Sequence, residues 1–254
     1  MKLNFKKIGD SGPQLLILHG VFGFLDNWLT MGKNLADAGF QVYLVDQRNH
    51  GRSPHRDSMD YKSFADDLNT FITDHNLVKP ILIGHSMGGK TVMQYAVQHP
   101  ESLSKLVVVD IGPKQYPIHH QRLLEGLNHI DLSSVNNRQD ADRQLAEYES
   151  NLGVRQFLLK NLYRTEENTF AWRFNLPVLT KDMPNVGQAI TGPVVTAPTY
   201  FIRGGNSDYI LDEDIPAIQQ QFPAAQVITV PHSGHWIHAE QPQQFLKELL
   251  GILK

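Results

Sequence analysis

The chain has 254 residues, 23 basic and 26 acidic, for a net charge of −3 with no long run of either sign. It is long enough for one large domain or a core with an insert, and nothing in its charge recommends nucleic acid or an anionic membrane surface as a partner. Cysteine is absent, which excludes thiol nucleophiles, Cys-based zinc sites and a disulfide scaffold and leaves a small molecule as the expected partner.

Met1 to Lys7 carries positive charge, but Gly9 to Pro13 interrupts before any apolar core can follow, so no signal peptide is read there. The longest strongly apolar stretch, Leu15 to Leu18, is far too short to span a bilayer, and a soluble cytoplasmic protein is the expectation. Leu3 to Ile8 suits an edge strand. Gln14 to Leu18 suits a buried one, ending in His19-Gly20-Val21-Phe22-Gly23. A backbone N–H just past such a strand end can supply one donor of an oxyanion hole, and Val21 is the first choice, with Phe22 as the alternative. Asp26 to Ala38 has helical spacing and is stopped by Gly39; Phe40 to Val45 follows as a strand. In the polar turn Asp46 to Pro54, Asp46 and Arg48 are expected to lock the loop by ion pairing and backbone hydrogen bonds, and His50 to line a substrate pocket. Tyr61 to His75 has a clean one-sided apolar pattern and is expected to be a helix.

Lys79 to Lys90, KPILIGHSMGGK, organises the rest. Ile81-Leu82-Ile83 reads as strand, Gly84-His85-Ser86-Met87-Gly88 as a sharp turn, and the following residues as a helix unbroken until Pro100. A Gly-x-Ser-x-Gly pattern arises by chance in roughly one chain in ten of this length. Between a strand and a helix it is the signature of a nucleophile elbow, which makes Ser86 the expected nucleophile. Lys105 to Val109 is another apolar strand, ending in Asp110. The alternation of strands and helices predicts an α/β fold with a mostly parallel central sheet, helices on both faces, and reactive groups at the carboxyl ends of the strands.

From residue 113 to 192 the alternation lapses. Tyr116 to Ile130, Asp140 to Asn151 and Val154 to Leu162 read as helices, and Trp172 to Asn175 closes a more irregular piece. This segment is expected to be a helical cap inserted between two strands of a core made of residues 1–112 and 193–254, with substrate gating as its function. The core pattern resumes with the strand Pro198 to Ile202, a helix from about Asp214 to Phe222 and the strand Gln226 to Val230. The loop Pro231 to Glu240 and a helix from Pro242 to Leu253 complete the chain.

Serine needs a base within hydrogen-bond reach and a third group to orient that base. Among twelve histidines, His235 is the best base because it lies directly beyond the final strand; His232 and His238 are competitors. Each stands in His-x-x-His spacing with His235, but the accompanying ligands of a metal motif are lacking, so neither metal nor cofactor is expected. Two aspartates stand at plausible strand ends, Asp110 and Asp208. Topology alone favours Asp208.

His19-Gly20, the Asp-x-Arg-x-x-Gly-x-Ser turn at Asp46 to Ser53, Gly84-His85-Ser86-Met87-Gly88-Gly89 and the terminal Gly234-His235 together resemble the α/β-hydrolase superfamily across essentially the whole chain. More narrowly, Arg48-Asn49-His50-Gly51, Ser86 to Lys90, Val109-Asp110-Ile111, Trp172 to Asn175, Gly204 to Ser207 and Gly234 to Glu240 resemble the YbfF-type bacterial acyl esterases. That group commonly lacks an acid at the position of Asp208 and retains one at that of Asp110, so the resemblance implies that Asp110 orients His235. It further implies a serine esterase acting on carboxylic esters or acyl thioesters such as acyl-CoA. Met87 and Val21 would then receive the oxyanion, and Phe22, His50 and Trp236 would contact substrate. Another reaction on the same fold, such as carbon-carbon bond hydrolysis, would use Ser86 and His235 equally. A non-catalytic ligand-binding protein is the alternative from a different class. The sequence leaves acyl-chain length, ester against thioester, and oligomeric state open.

Overall fold

The computed structural model describes residues 1–117 and 120–254. Strands β1 (Phe5–Ile8) and β2 (Gln14–Leu18) are followed by helix α1 (Leu29–Asp37) and strand β3 (Gln41–Val45). Helix α2 (Tyr61–Asp74) leads to β4 (Ile81–His85), α3 (Met87–Gln98) and β5 (Lys105–Val109). The segment after β5 carries α4 (Gln121–His129), α5 (Arg138–Leu145), α6 (Leu152–Leu159), the short strands β6 (Leu162–Arg164) and β7 (Phe170–Trp172), and α7 (Leu176–Val186). Strand β8 (Thr199–Gly204), helix α8 (Ile215–Gln221), strand β9 (Ala225–Val230), and helices α9 (Ile237–Glu240) and α10 (Pro242–Leu253) complete the chain.

The main sheet runs β1-β3-β2-β4-β5-β8-β9, with β1 antiparallel to β3 and every other pairing parallel. Because strand side chains alternate, Leu15 and Ile17 of β2 join a core with Met31 and Leu35 of α1 and Phe245 and Leu249 of α10. Leu16 and Leu18 face the other way, into a core with Phe64 and Leu68 of α2, Val92 and Ala96 of α3, and Ile218 of α8. Both faces are covered, so the central strands are apolar throughout. The sheet's order turns at β2 and β4, and the chain ends leaving these two strands carry His19 and Ser86 into the same crevice.

The structure departs from the sequence expectations in a few places. Residues 26–38 are not one helix: a 3-10 turn over Leu25–Trp28 precedes α1. The Phe24 N–H is held by the Asn27 side chain at 2.8 Å and the Leu25 N–H by Asp46 at 2.7 Å, which tightens the first turn. The helix expected over 116–130 is observed as α4 from Gln121, and its expected part at residues 118 and 119 lies outside the described residues. Asn137 and Asn151 accept hydrogen bonds from Asp140 N–H and Gly153 N–H, and so set the starts of α5 and α6 earlier than apolar spacing suggests. Helix α7 lies beyond the helices expected for this segment; Pro177 sits in its first turn, where its missing N–H costs nothing, and Pro184 lies inside it. Among the described residues no helix is long and apolar enough to cross a membrane.

Lys90 ties the segment 113–192 to the core. Its side chain rises from α3 with no exposed surface, and its Nζ donates to the carbonyls of Lys114 (2.7 Å), Gly187 (3.4 Å) and Gln188. Those carbonyls belong to both ends of the segment, so one ammonium on the Ser86 helix holds both junctions. Burial pulls its pKa down to about 7, while three carbonyl acceptors favour the protonated form. Lys90→Met is expected to cost about 2–3 kcal/mol, because the carbonyls lose a charged donor in a dry site. A thermal melt should show Tm lowered by roughly 5–10 °C; an unchanged Tm would remove Lys90 from this role.

Candidate active site

Ser86 sits at φ 52°, ψ −118°, between the last residue of β4 and the first of α3. This left-handed backbone is costly for any residue but glycine and persists only where the surroundings enforce it. Two glycines allow it. A Cβ on Gly84 would lie 2.1 Å from the Gly88 carbonyl oxygen, and one on Gly88 would lie 2.5 Å from the carbonyl oxygen of Leu18. The absence of side chains therefore lets the helix start pack against both its own strand and the end of β2. The Ser86 N–H is held by the Val109 carbonyl at 3.0 Å, and the hydroxyl is carried at the N-terminus of α3.

Asp110 continues β5 in the same left-handed region, at φ 51°, and is completely buried. Its Oδ2 lies 2.8 Å from His235 Nδ1 and accepts from the Ser207 hydroxyl at 2.5 Å, while Oδ1 accepts from the Gly204 N–H at 2.9 Å. Asp208, the alternative acid, is exposed at the surface. His235 has two further contacts: its ring stacks on Tyr209 at 4.0 Å, and its backbone carbonyl accepts from His85 Nε2 at 2.8 Å. Glu240 braces the loop by accepting from the N–H groups of Gly234 (2.6 Å) and Trp236 (3.1 Å). His85, Tyr209 and Glu240 were not singled out from the sequence. His85 and Glu240 lay inside the quoted motifs, but only their contacts give them these functions.

The loop after β2 is locked by a buried polar lattice. His19 Nδ1 donates to the Gly20 carbonyl (2.8 Å) and its Nε2 accepts from the Gln47 N–H (3.1 Å), which specifies the neutral tautomer. Asp46 accepts from Leu25 N–H, Arg52 N–H and the Asn4 amide, and Arg48 pairs with Asp67 at 2.6 Å. These two residues hold the turn by pairing and backbone bonds.

Phe22 is also left-handed, at φ 60°. Its N–H points to His50 Nε2 at 3.3 Å, and its carbonyl accepts from Asn161 Nδ2 at 2.7 Å. The Phe22 amide therefore has a partner behind the loop, and both Val21 and Phe22 line the crevice beside Ser86. His50 is placed differently from the expectation: it is fully buried beneath the loop, does not line the cavity, and acts as a prop for Phe22. Asn161, at the junction of α6 and β6, escaped the sequence reading because nothing local marks a single asparagine that reaches a loop so distant in sequence.

A cavity of about 300 Å³ opens at Ser86 and His235. Val21, Phe22 and Trp236 line it from the core, and Leu123, Phe157 and Leu158 from the segment between β5 and β8. Met87, at the start of α3, borders a second, smaller cavity on the other side of Ser86.

The histidines beneath the site have a thermodynamic consequence. Burial lowers the pKa of His19 to about 4 and that of His50 to about 3, and pulls His85 well below its ordinary 6.5. Each is neutral when folded, so below pH about 6.5 the unfolded chain binds more protons than the folded one. Their contribution to stability is fully present above that pH and is lost as pH falls toward 4, by up to about 1.4 kcal/mol per pH unit for each histidine. Urea midpoints measured at pH 7, 6 and 5 are expected to fall steadily; equal midpoints would show that these rings are not held neutral.

Comparison with known proteins agrees with this architecture. Residues 13–242 match the family model described as alpha/beta hydrolase fold. The chain is 36% identical over 252 residues to the mouse sn-1-specific diacylglycerol lipase ABHD11, covering 95% of this chain and 81% of that one. It is 34% identical over 258 residues to Esterase YbfF of Escherichia coli, covering 100% and 99%. Among solved structures, one described as a marine microorganism esterase superposes with a TM-score of 0.96 at 44% identity over 99% of both chains. Motifs, sheet order and these matches agree that the chain belongs to the α/β-hydrolase family.

Proposed function

We propose that the protein is a serine esterase that hydrolyses carboxylic esters or acyl thioesters, acyl-CoA among them, through an acyl-enzyme on Ser86. The observation that carries this reading is the buried Asp110 carboxylate at 2.8 Å from His235 Nδ1, beside a serine held in a strained elbow and opening on the same cavity. Held at Nδ1, His235 presents Nε2 as base: it takes the Ser86 proton as Oγ attacks the acyl carbonyl. The developing oxyanion is received by the backbone N–H groups of Met87 and Val21, which in a dry, preorganised site contribute about 3 kcal/mol each. Collapse of the tetrahedral adduct expels the alcohol or thiol, which leaves with the proton from His235. Water then takes the place of the leaving group: it gives a proton to His235 as it attacks the acyl carbon, and the acyl–Oγ bond breaks as His235 returns that proton to Ser86 Oγ, releasing the acid.

Segment 113–192 acts as a cap in this reading, because α6 contributes Phe157 and Leu158 to the cavity wall and Asn161 grips the oxyanion loop. Phe22 and Trp236 contact substrate. The names of the mouse and Escherichia coli relatives, a lipase and an esterase, support ester substrates.

The test is incubation with a serine-directed phosphonate followed by intact mass, together with hydrolysis of p-nitrophenyl esters and acyl-CoA. One adduct on Ser86 and turnover of at least one substrate class are expected. An unlabelled, inactive protein would return the non-catalytic ligand-binding reading.

A further inference from the structure

Two cavities meet at Ser86, and they differ in a way that assigns the two halves of the substrate. The larger, about 300 Å³, is lined by His235, Trp236 and His238 as well as by the loop after β2. The smaller, about 30 Å³, lies on the other side, between the start of α3 and helix α7, and is bordered by Met87, Ile111, Tyr116, Met183 and Val186. Ser86, His120 and Tyr209 border both, whereas His235 borders only the larger.

In the tetrahedral adduct the carbon carries four groups. One is Ser86 Oγ and one is the oxyanion, directed at the backbone donors. The third, the leaving oxygen, must collect a proton from His235 and so must lie within hydrogen-bond reach of its ring. The alcohol or thiol is thereby committed to the larger cavity. The acyl tail takes the remaining direction, toward Met87 and α7.

Resting on the esterase reading, we infer that the small cavity is the acyl pocket, that it admits only short acyl groups, and that Met183 sets the limit. A space of this size holds about two water-sized groups, hence a tail of about one to three carbons. The part of its wall formed by α7 and Tyr116 is held in place. Helix α7 is tied to the core by the Met59 N–H on Asp182 (3.0 Å), Asn185 on the Met59 carbonyl (3.1 Å) and the Tyr61 hydroxyl on the Val186 carbonyl (2.7 Å). Tyr116 is fixed through its hydroxyl, which accepts from the Gly112 N–H (2.8 Å) and donates to the Tyr209 carbonyl (2.5 Å). Met183, buried on that tied helix, is a long side chain of the wall that can be truncated without altering the Ser86 helix.

The experiment compares two series on the wild type. In one, p-nitrophenyl acetate, butyrate, hexanoate and octanoate vary the acyl group; in the other, methyl, butyl and octyl acetates vary the alcohol. The acyl series is expected to fall sharply beyond butyrate, with each excess methylene worth roughly 10-fold or more in kcat/KM, while the alcohol series stays flat. Met183→Ala should raise the ratio of hexanoate to acetate by roughly 10-fold and leave the alcohol series unchanged in shape. Met183→Phe, which fills rather than empties the pocket, should lower the ratio of butyrate to acetate. A sharp limit in the alcohol series, a flat acyl series, or ratios insensitive to folded Met183 variants would overturn the assignment. If the wild type hydrolyses no ester of either series, it is the esterase reading that fails.

Discussion

Ser86→Ala is expected to lower kcat/KM for p-nitrophenyl acetate by roughly 10⁵ to 10⁶-fold, because the attacking oxygen is removed and only the oxyanion donors and binding remain to accelerate attack by water. The loss should fall on kcat, with KM nearly unchanged, since the hydroxyl bonds to the acyl carbon only as the reaction proceeds. Stability should hold or rise. Ser86 lies in the left-handed region, and alanine is no more comfortable there, but the strain belongs to the backbone and is already met by the packing around Gly84 and Gly88. Near wild-type turnover in Ser86→Ala would mean that the nucleophile lies elsewhere, and the cavity, the elbow and the His235 geometry would need a different explanation.

The second large effect separates the two aspartates. Asp110→Asn is expected to reduce kcat by roughly 10⁴-fold, whereas Asp208→Asn should stay within about 3-fold of the wild type. Asparagine tolerates the left-handed backbone of Asp110, so the loop itself need not move. What changes is chemistry. All three partners of Asp110, the Gly204 N–H, the Ser207 hydroxyl and His235 Nδ1, are served by an acceptor-only group. An amide offers one acceptor oxygen and puts its NH₂ against a neighbour that also donates. The imidazole can relieve this by shifting its proton to Nε2, which removes the lone pair that the Ser86 proton must reach. Asp208 is exposed, so its replacement changes a solvated charge. Measuring both variants by kinetics and by thermal melt distinguishes lost chemistry from lost folding. A dead Asp208→Asn beside an active Asp110→Asn would reverse the assignment.

Much of this was readable before any coordinates. Strand β5 and helix α10 fall on the expected residues, and β4 and α2 differ only at an end, because long apolar or one-sided patterns leave few alternatives. Glycines at positions 84 and 88 announced a close approach that the Cβ distances bear out. The segment 113–192 was less legible. Its short helices start at asparagine caps rather than at apolar steps, β6 and β7 have three residues each, and α7 carries two prolines.

The site divides along the same line. Local sequence identified Ser86 and His235, because a strained turn and a terminal loop need particular residues next to each other in the chain. Strand topology by itself favoured Asp208 and the family resemblance Asp110; in the folded chain it is Asp110, carried by β5 beside β8, that is buried against the ring. His50 looked like a pocket residue from its polar surroundings, yet packing turns it beneath the Phe22 loop. Asn161 had no local signature at all. The sequence by itself determined the α/β framework, the Ser86 turn between strand and helix and the place of His235 beyond the last strand, because short-range patterning and backbone strain are written in neighbouring residues. Tertiary structure alone decided how His235 is held, what supports the Phe22 loop and that two unequal cavities meet at Ser86, because each depends on where groups distant in the chain are brought into contact.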